Sequence, residues 1–306
     1  MASIAILGVF VADTSYRAAR QPRMGETILG EDFVLGPGGK GSNQSVAAAR
    51  AGGDVTFITR LGEDAFAELA LKTWADAGVT AAATHDPHSY TGAAYIFVDA
   101  RTGDNAIIVC PGAATGIDAA DIEASRAHIE GASVFVTQLE QPLPAAHRAL
   151  EIARQNKVAT VLNPAPAAAL DDAMFALCDY LTPNETEAAE LTGLEVVTLD
   201  QARAAADALL AKGVGTAVIT LGANGALIHG PGQSEHVPAF DAGLVRETTG
   251  AGDAFNGAFA VALAEGRAPV DAVRFGCAAA GISVTRPGTA PSMPDRGEID
   301  ALLAGR

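Results

Sequence analysis

The residues best suited to chemistry lie late in the chain, where Glu247-Thr248-Thr249-Gly250-Ala251-Gly252-Asp253-Ala254-Phe255-Asn256-Gly257 leads into an apolar helical pattern over 254–263. Small residues opening a helix leave backbone N–H groups pointing at one spot, and such a spot suits an anion, above all a phosphate in transfer. Asp253 falls in the first turn of that helix. A carboxylate there can take a proton from an attacking hydroxyl while the amides hold the charge that moves with the phosphate. An Asp that merely caps a helix after a glycine turn fits the same segment, so the residues alone leave both readings open.

A second segment, Gly36-Pro37-Gly38-Gly39-Lys40-Gly41-Ser42-Asn43-Gln44, runs into a helical pattern over 42–51. It is not a Walker A loop, because Lys40 is followed by Gly41 rather than Ser or Thr and the glycine spacing is wrong. It is not the dinucleotide fingerprint either, since no compact βαβ unit surrounds it. Glycines at this density let backbone approach a ligand closely, and Asn43 can both donate and accept hydrogen bonds to vicinal hydroxyls. The plain alternative is a glycine-rich turn with an incidental lysine.

The elements that must position these segments alternate. Strands are predicted at 4–10, 55–60, 134–138, 158–162, 180–182 and 217–221, with helices at 42–51, 65–77, 143–155 and 199–212 between them. Such alternation implies a mostly parallel sheet covered on both faces. Ligands bind such sheets beyond the carboxyl ends of the strands, where Gln138-Leu139-Glu140, Asn163-Pro164, Thr182-Pro183-Asn184 and Thr220-Leu221-Gly222 all fall. Two stretches break the pattern: 13–35 is polar, and 93–98 with 106–109 reads as a hairpin turning at Thr102-Gly103-Asp104-Asn105. Neither has a helix to cover it. Together they predict a small projecting sheet able to close over a ligand or to pair with a second copy. With no internal repeat or long linker, the chain is expected to form one domain over 1–306, with lid segments at about 13–35 and 93–109.

A chain of 306 residues can bury a substantial core, and its formal charge of −16 argues against nucleic acid or an anionic membrane as partner. An anionic ligand must therefore be held locally, by amides, a few basic groups or a metal. Cys110, Cys178 and Cys277 are odd in number and unpatterned, which fits a reducing compartment. The apolar stretch 4–12 lacks a preceding basic region and runs into Asp13, so it is expected to be a strand rather than a secretion leader. No run is long enough to cross a bilayer, and a cytoplasmic protein is expected.

Both glycine-rich segments, Gly38 to Gln44 and Thr249 to Phe255, resemble the two signatures of the PfkB/ribokinase family of carbohydrate kinases. Between and after them, Gln138-Leu139-Glu140, Asn163-Pro164-Ala165-Pro166-Ala167, Thr182-Pro183-Asn184-Glu185-Thr186-Glu187 and Val284-Thr285-Arg286-Pro287-Gly288 stand in the family's order. The likeness runs nearly end to end. It implies a ribokinase-like α/β fold, with a central mostly parallel sheet flanked by helices and a small projecting β-sheet lid. The activity it implies is ATP-dependent transfer of the γ-phosphate to the primary hydroxyl of a pentose, D-ribose first, with 2-deoxyribose, another sugar or a nucleoside as alternatives. From a different class, a non-catalytic sugar-binding regulator would share the fold but has no use for a base aimed at an anion hole.

The resemblance also implies roles. Asp253 takes the place of the catalytic base, and Gly250, Ala251 and Gly252 that of the anion hole. Asp13, Gly39, Lys40, Asn43 and Glu140 fall on positions that hold sugar hydroxyls. Asn184 and Glu187 match an Asn-x-x-Glu motif near Mg²⁺ and the phosphates, Glu187 acting through water, and Thr220 and Gly222 lie where a strand end meets the nucleotide. A monovalent cation, K⁺, is implied beside the anion hole, held mainly by backbone carbonyls at Glu247, Thr249, Ser283, Arg286, Gly288 and Ser292. A homodimer joined through the lid is implied as well. Without the family, Asp13 reads as a loop carboxylate and 184–187 as an ordinary helix start. The chain departs from the pattern at Val11, where the family usually has Asn beside the sugar, at Glu247 in place of Asp, and at Cys277, near the adenine, in place of His or Asn. An apolar Val11 favours a sugar that lacks the hydroxyl Asn would bind or presents it differently. Arg17, Arg20 and Arg23 read as a solvated face of the lid.

Overall fold

In the strands at the centre of the molecule, neighbouring side chains are mostly apolar and face opposite ways. A computed structural model describes residues 2–305. In β1 (Ser3–Leu7), Ile4 and Ile6 join one buried cluster while Ala5 and Leu7 join another, as the two-residue period of a strand requires. The same division recurs in β8 (Val134–Thr137), where Val134 and Val136 belong to the first cluster and Phe135 to the second. A strand buried on both faces needs helices on both sides. Residues of helices Lys40–Arg50, Ala65–Ala77, Ala251–Ala264 and Pro269–Ser283 complete the first cluster, and those of Leu143–Gln155 and Leu199–Ala211 the second.

The remaining strands are β2 (Val11–Ala18), β3 (Asp32–Gly38), β4 (Asp54–Leu61), β5 (Thr80–His85), β6 (Thr91–Asp99), β7 (Asn105–Gly112), β9 (Ala159–Leu162), β10 (Tyr180–Leu181), β11 (Thr216–Thr220), β12 (Ala226–Gly230) and β13 (Gln233–Val237). The main sheet has the order β13-β12-β11-β10-β9-β8-β1-β4-β5. It is parallel from β5 to β11 and ends in an antiparallel hairpin, β12 with β13. The second sheet has the order β3-β2-β6-β7. This is the predicted architecture of a mostly parallel sheet with a small separate sheet beside it. Strands β5, β12 and β13 lie outside the predicted ones: β5 is alanine-rich, β13 is polar, and the apolar run Ala226-Leu227-Ile228 of β12 is too short to show a period.

One predicted strand is too long. The 4–10 run stops at Leu7, because the next residue must pass the start of the helix Lys40–Arg50: a Cβ on Gly8 would fall 2.7 Å from the Cα of Gly41. The chain there leaves the main sheet and enters β2. That helix is pinned from behind by Trp74, which is fully buried edge-on against Phe10 and Phe57 and donates its Nε1–H to Ser42 Oγ at 2.9 Å. Burying an aromatic of this size is worth roughly 2–3 kcal/mol and here fixes the first glycine-rich segment against the sheet.

The predicted lid stretches become β2 and β3, flanking the loop 19–31, and the β6–β7 hairpin. β2 pairs in parallel with β6, and no helix packs its apolar residues away: Phe33, Val34, Leu35, Ile107, Ile108 and Val109 are all exposed. Among the described residues no helix is long and apolar enough to cross a membrane.

Candidate active site

At the carboxyl ends of β1, β8, β9, β10 and β11 the chain brings together both glycine-rich segments and most of the polar strand ends. The helix Ala251–Ala264 begins on Gly250, whose φ of 83° is left-handed and whose Cβ, if present, would lie 3.3 Å from Thr289 Cα. No side chain caps this helix. The Ala251 N–H donates to the Thr248 carbonyl at 3.2 Å, whereas the N–H groups of Gly252 and Asp253 have no hydrogen-bond partner among the described residues. A Cβ built on Gly252 meets nothing within 4 Å, so open space lies in front of it. Unsatisfied N–H donors aimed into space at a helix N-terminus form an anion cradle.

Asp253 is buried in the first turn of the same helix. Its Oδ2 accepts from Asn43 Nδ2 at 3.1 Å and its Oδ1 from Gln44 Nε2 at 3.0 Å, so the two signatures, far apart in sequence, meet on one carboxylate. Burial raises its pKa, with Lys40, Gln44 and Asn43 pulling the other way. A carboxylate raised in this manner is a better proton acceptor than one in water, yet the amide donors keep it ionisable. Asn43 has spent its NH₂ on Asp253 and leaves Oδ1 buried without a partner, an acceptor that awaits a hydroxyl.

Three further carboxylates lie in the same cluster, and two of them, Glu140 and Glu187, feel the Lys40 charge. Glu140 Oε2 accepts from the backbone N–H of Lys40 at 2.7 Å. Burial pushes Glu140 up to about 7, opposed by Lys40 and reinforced by the charges of Asp253 and Asp13. Asp13, on β2, is pushed up to about 6 by burial. It crosses so close to β3 that any side chain at Gly38 would collide with its carboxylate, which explains a glycine at that register. Gly39, with φ of 88°, turns the chain from β3 into the helix. Glu187 is also raised by burial, with Lys40 lowering it and Asp253 raising it. One ammonium among four partly desolvated carboxylates is a costly arrangement that a polyhydroxylated or cationic ligand would relieve.

The other predicted residues fall nearby or behind. Asn184 caps the helix Glu185–Thr192: its Oδ1 accepts from Glu187 N–H at 2.8 Å and Glu187 Oε2 accepts from Asn184 N–H at 2.9 Å, a reciprocal box that fits the ordinary helix start. Asn184 bridges to Thr220 at the end of β11, and Gly222 follows with φ of 52°. Val11 is buried opposite Gly38, in the apolar cluster that also holds Val9, Ala94 and Leu139. Cys277 is buried in the apolar cluster of the helix Pro269–Ser283, and its thiol is pushed up to about 12, so it presents no thiolate.

Around the anion cradle, Glu247 Oε2 accepts from the Gly288 N–H at 2.8 Å and so ties two loops together. Ser283 and Ser292 donate to the carbonyls of Ala280 and Thr289, and the Arg286 guanidinium pairs with Glu298, which leaves its backbone as the part able to serve a cation. Thr249 immediately precedes Gly250. Thr289 Oγ1 donates to the Pro37 carbonyl at 2.9 Å, linking this loop to the lid strand β3. In the lid, Arg20 pairs with Glu26 on the loop 19–31, as a solvated face predicts.

Sequence reasoning named Asn43 but gave no role to Gln44 or to the buried network behind it. Gln44, Gln138, Asn163, Thr182 and Asn256 are all buried and bonded to one another or to the backbone. The available signal was a polar residue at the end of each buried strand, a costly choice unless every group is paired.

Comparison with known proteins follows the same lines. Residues 1–296 match the model of the pfkB family carbohydrate kinases. A ribokinase of Haemophilus influenzae is 39% identical over 302 residues, covering 98% of each chain. A deoxyribokinase of Salmonella typhi is 36% identical over 303 residues, again covering 98% of each. The structure of Arabidopsis thaliana ribokinase complexed with ribose and ATP superposes with a TM-score of 0.92 at 30% identity, covering 99% of both chains.

Proposed function

From a chain that belongs to the pfkB family of carbohydrate kinases, we propose an ATP-dependent pentose kinase that transfers the γ-phosphate to the primary hydroxyl of D-ribose. The observation that carries this reading is Asp253, a buried carboxylate held by Asn43 and Gln44 beside unpartnered helix N–H groups. Asp13, Gly39, Lys40, Asn43 and Glu140 hold the sugar hydroxyls; carboxylates and an unpaired amide oxygen suit a polyol that can donate to each of them. Asp253 accepts the proton of the attacking hydroxyl. The cradle at Gly250, Ala251 and Gly252, with the Gly252 and Asp253 amides as its free donors, takes the charge of the phosphoryl group in line. Lys40 lies close enough to influence Glu140, Asp253 and Glu187, and balances their charge.

On the nucleotide side, Asn184, Thr220 and Gly222 line the approach of ATP, and the helix carrying Cys277 backs the base. Glu187 fits a water-mediated Mg²⁺ ligand, because one of its oxygens serves the helix cap while the other has no hydrogen-bond partner among the described residues. The metal would neutralise charge on the bridging phosphate oxygens. Glu247, Thr249, Ser283, Arg286, Gly288 and Ser292 would hold K⁺, whose part is to brace the cradle loop. The exposed apolar lid supports a homodimer, since a sheet with free edges and this much apolar surface is stable when paired. A cytoplasmic enzyme, as expected from the sequence, would have its ATP at hand.

A second reading, a 2-deoxyribose kinase, is favoured by one observation: Val11 offers no hydrogen bond on the strand that carries Asp13. An ADP-release assay across ribose, 2-deoxyribose, fructose and adenosine, run in K⁺ and in a bulky organic cation at constant ionic strength, tests both readings. Ribose is expected to give the highest kcat/KM, severalfold higher in K⁺. Turnover of fructose or adenosine alone would overturn the pentose assignment, and equal rates in both salts the cation site. In the same assay Val11→Asn should favour ribose over 2-deoxyribose by roughly ten- to a hundredfold, because it supplies a hydrogen bond worth about 1–3 kcal/mol. An unchanged ratio would make Val11 a packing residue. Light scattering at micromolar concentration should give twice the chain mass, and a fully active monomer would contradict the dimer.

A further inference from the structure

Gln44 is fully buried in the helix Lys40–Arg50, and both donors and the oxygen of its amide are bonded in one sense only. Its Nε2 donates to Asp253 Oδ1 at 3.0 Å and to Asn163 Oδ1 at 3.1 Å, and its Oε1 accepts from Gln138 Nε2 at 2.7 Å. Asn163 cannot turn over, because its own Nδ2 donates to the Thr182 carbonyl at 2.9 Å. Thr182 Oγ1 in turn bonds Asn256 Oδ1 at 2.6 Å, and Asn256 Nδ2 donates to the Gly252 carbonyl at 2.8 Å. The chain of bonds thus leaves the helix Ala251–Ala264 at Asp253, crosses the ends of β9 and β10, and returns to the same helix at Gly252. An amide flip anywhere in it would set oxygen against oxygen.

We propose that Gln44 is the positioning residue for Asp253, holding Oδ1 by an amide whose orientation Asn163 and Gln138 dictate, so that Oδ2 faces the reacting hydroxyl beside Asn43. This rests on the reading of Asp253 as the base. Of the two oxygens, Oδ1 is held by an amide locked in the buried network, while Oδ2 shares its neighbour, Asn43, with the space left for substrate. Of the charged groups facing this cluster, Lys40 lowers the pKa of Asp253, and the Asp253 charge in turn raises Glu140 and Glu187. Against the burial that raises Asp253, the Gln44 donor favours the ionised form that proton abstraction needs. The part is specific to the side chain's amide, since Met has nearly the same shape and no donor.

The test compares Gln44→Met, Gln138→Met and Asp253→Asn with the unaltered enzyme, by kcat against pH and by KM for ribose and ATP. Gln44→Met should lower kcat roughly ten- to a hundredfold, the size of a hydrogen bond to a charged group, and move the acid limb of the kcat profile up by about one pH unit. KM for ATP should stay within about twofold. Gln138→Met removes one of the two neighbours that orient the Gln44 amide without touching Asp253, and should move the same limb in the same direction by less; it keeps the test alive should Gln44→Met fail to fold. An acid limb that does not move in a folded variant would overturn the proposal, whatever happens to kcat. If Asp253→Asn itself retains near-normal kcat, the reading of Asp253 as base fails instead, and the two failures are told apart.

Discussion

Two helices begin at the same edge of the main sheet, each with a carboxylate in its first turn, and they are built in opposite ways. The helix Glu185–Thr192 closes on itself: Asn184 and Glu187 satisfy each other's backbone N–H groups in a reciprocal cap. The helix Ala251–Ala264 is left open, with a left-handed glycine for a cap, no side chain over its amides, and Asp253 turned inward onto Asn43 and Gln44. A side-chain cap contributes about 1 kcal/mol. The second helix therefore forgoes stability that the first one takes. The difference teaches how to tell a structural acid from a reactive one: the structural acid is used up by its own helix, while the reactive one is held from outside and leaves the helix donors free for something else. Glu187 partly crosses the divide, since one of its oxygens remains free of the cap.

The comparison is sharpened most by Asp253→Asn. If the open helix carries the base, kcat falls by roughly 10² to 10⁴ while ribose and ATP still bind, since general-base catalysis contributes about that much. Retention of more than about a tenth of kcat would break the contrast.

Glu140 tests the electrostatic side of the same contrast. Its folded pKa of about 7 lies above the ordinary 4.5, so the folded protein holds a proton there that the unfolded chain releases. The stability from this group is full below pH 4.5 and is lost as pH rises through 7. Glu140→Gln should thus unfold later than the unaltered protein at pH 8, by about 1–3 kcal/mol, and by less at pH 5, with ribose affinity reduced at both. Equal differences at the two pH values, read by thermal unfolding without ligand, would remove the carboxylate from the desolvated cluster.

The smallest expected effect belongs to the closed helix. Asn184→Ala should cost about 1 kcal/mol of stability in denaturant unfolding through loss of the cap. Unfolding unchanged within experimental error would mean that the box contributes nothing and that Asn184 is kept for the nucleotide alone.

Much of this architecture is legible in the amino-acid sequence by itself. Apolar β-rich runs alternating with helical patterns point to the parallel sheet, because periodicity is a local property that tertiary context rarely reverses over many residues. Asp253 and Asn43 stand out because small flexible residues beside a carboxylate or an amide are seldom chosen for packing. The strand end at Leu7 is not legible, since it depends on how near Gly41 of another element comes to Gly8. Gln44 and Asn163 are hidden for the same reason: each is an ordinary amide in sequence, and only the fold brings Gln44 onto Asp253 and Asn163 onto Gln44. The edge strand β13 gives no clear signal because it is polar, and the apolar run of β12 is too short to tell a strand from a helix segment. Val11 stays a question of chemistry rather than of fold, for a valine at that register packs well with or without a sugar beside it.

The central claim, transfer of phosphate from ATP to a primary hydroxyl under control of Asp253, is tested most directly by phosphorus NMR of the products formed from ribose and ATP. The unaltered enzyme should yield a phosphomonoester resonance split by the methylene protons of a primary carbon, and Asp253→Asn should yield almost none in the same time. A product split by a single proton, or inorganic phosphate alone, would contradict the account.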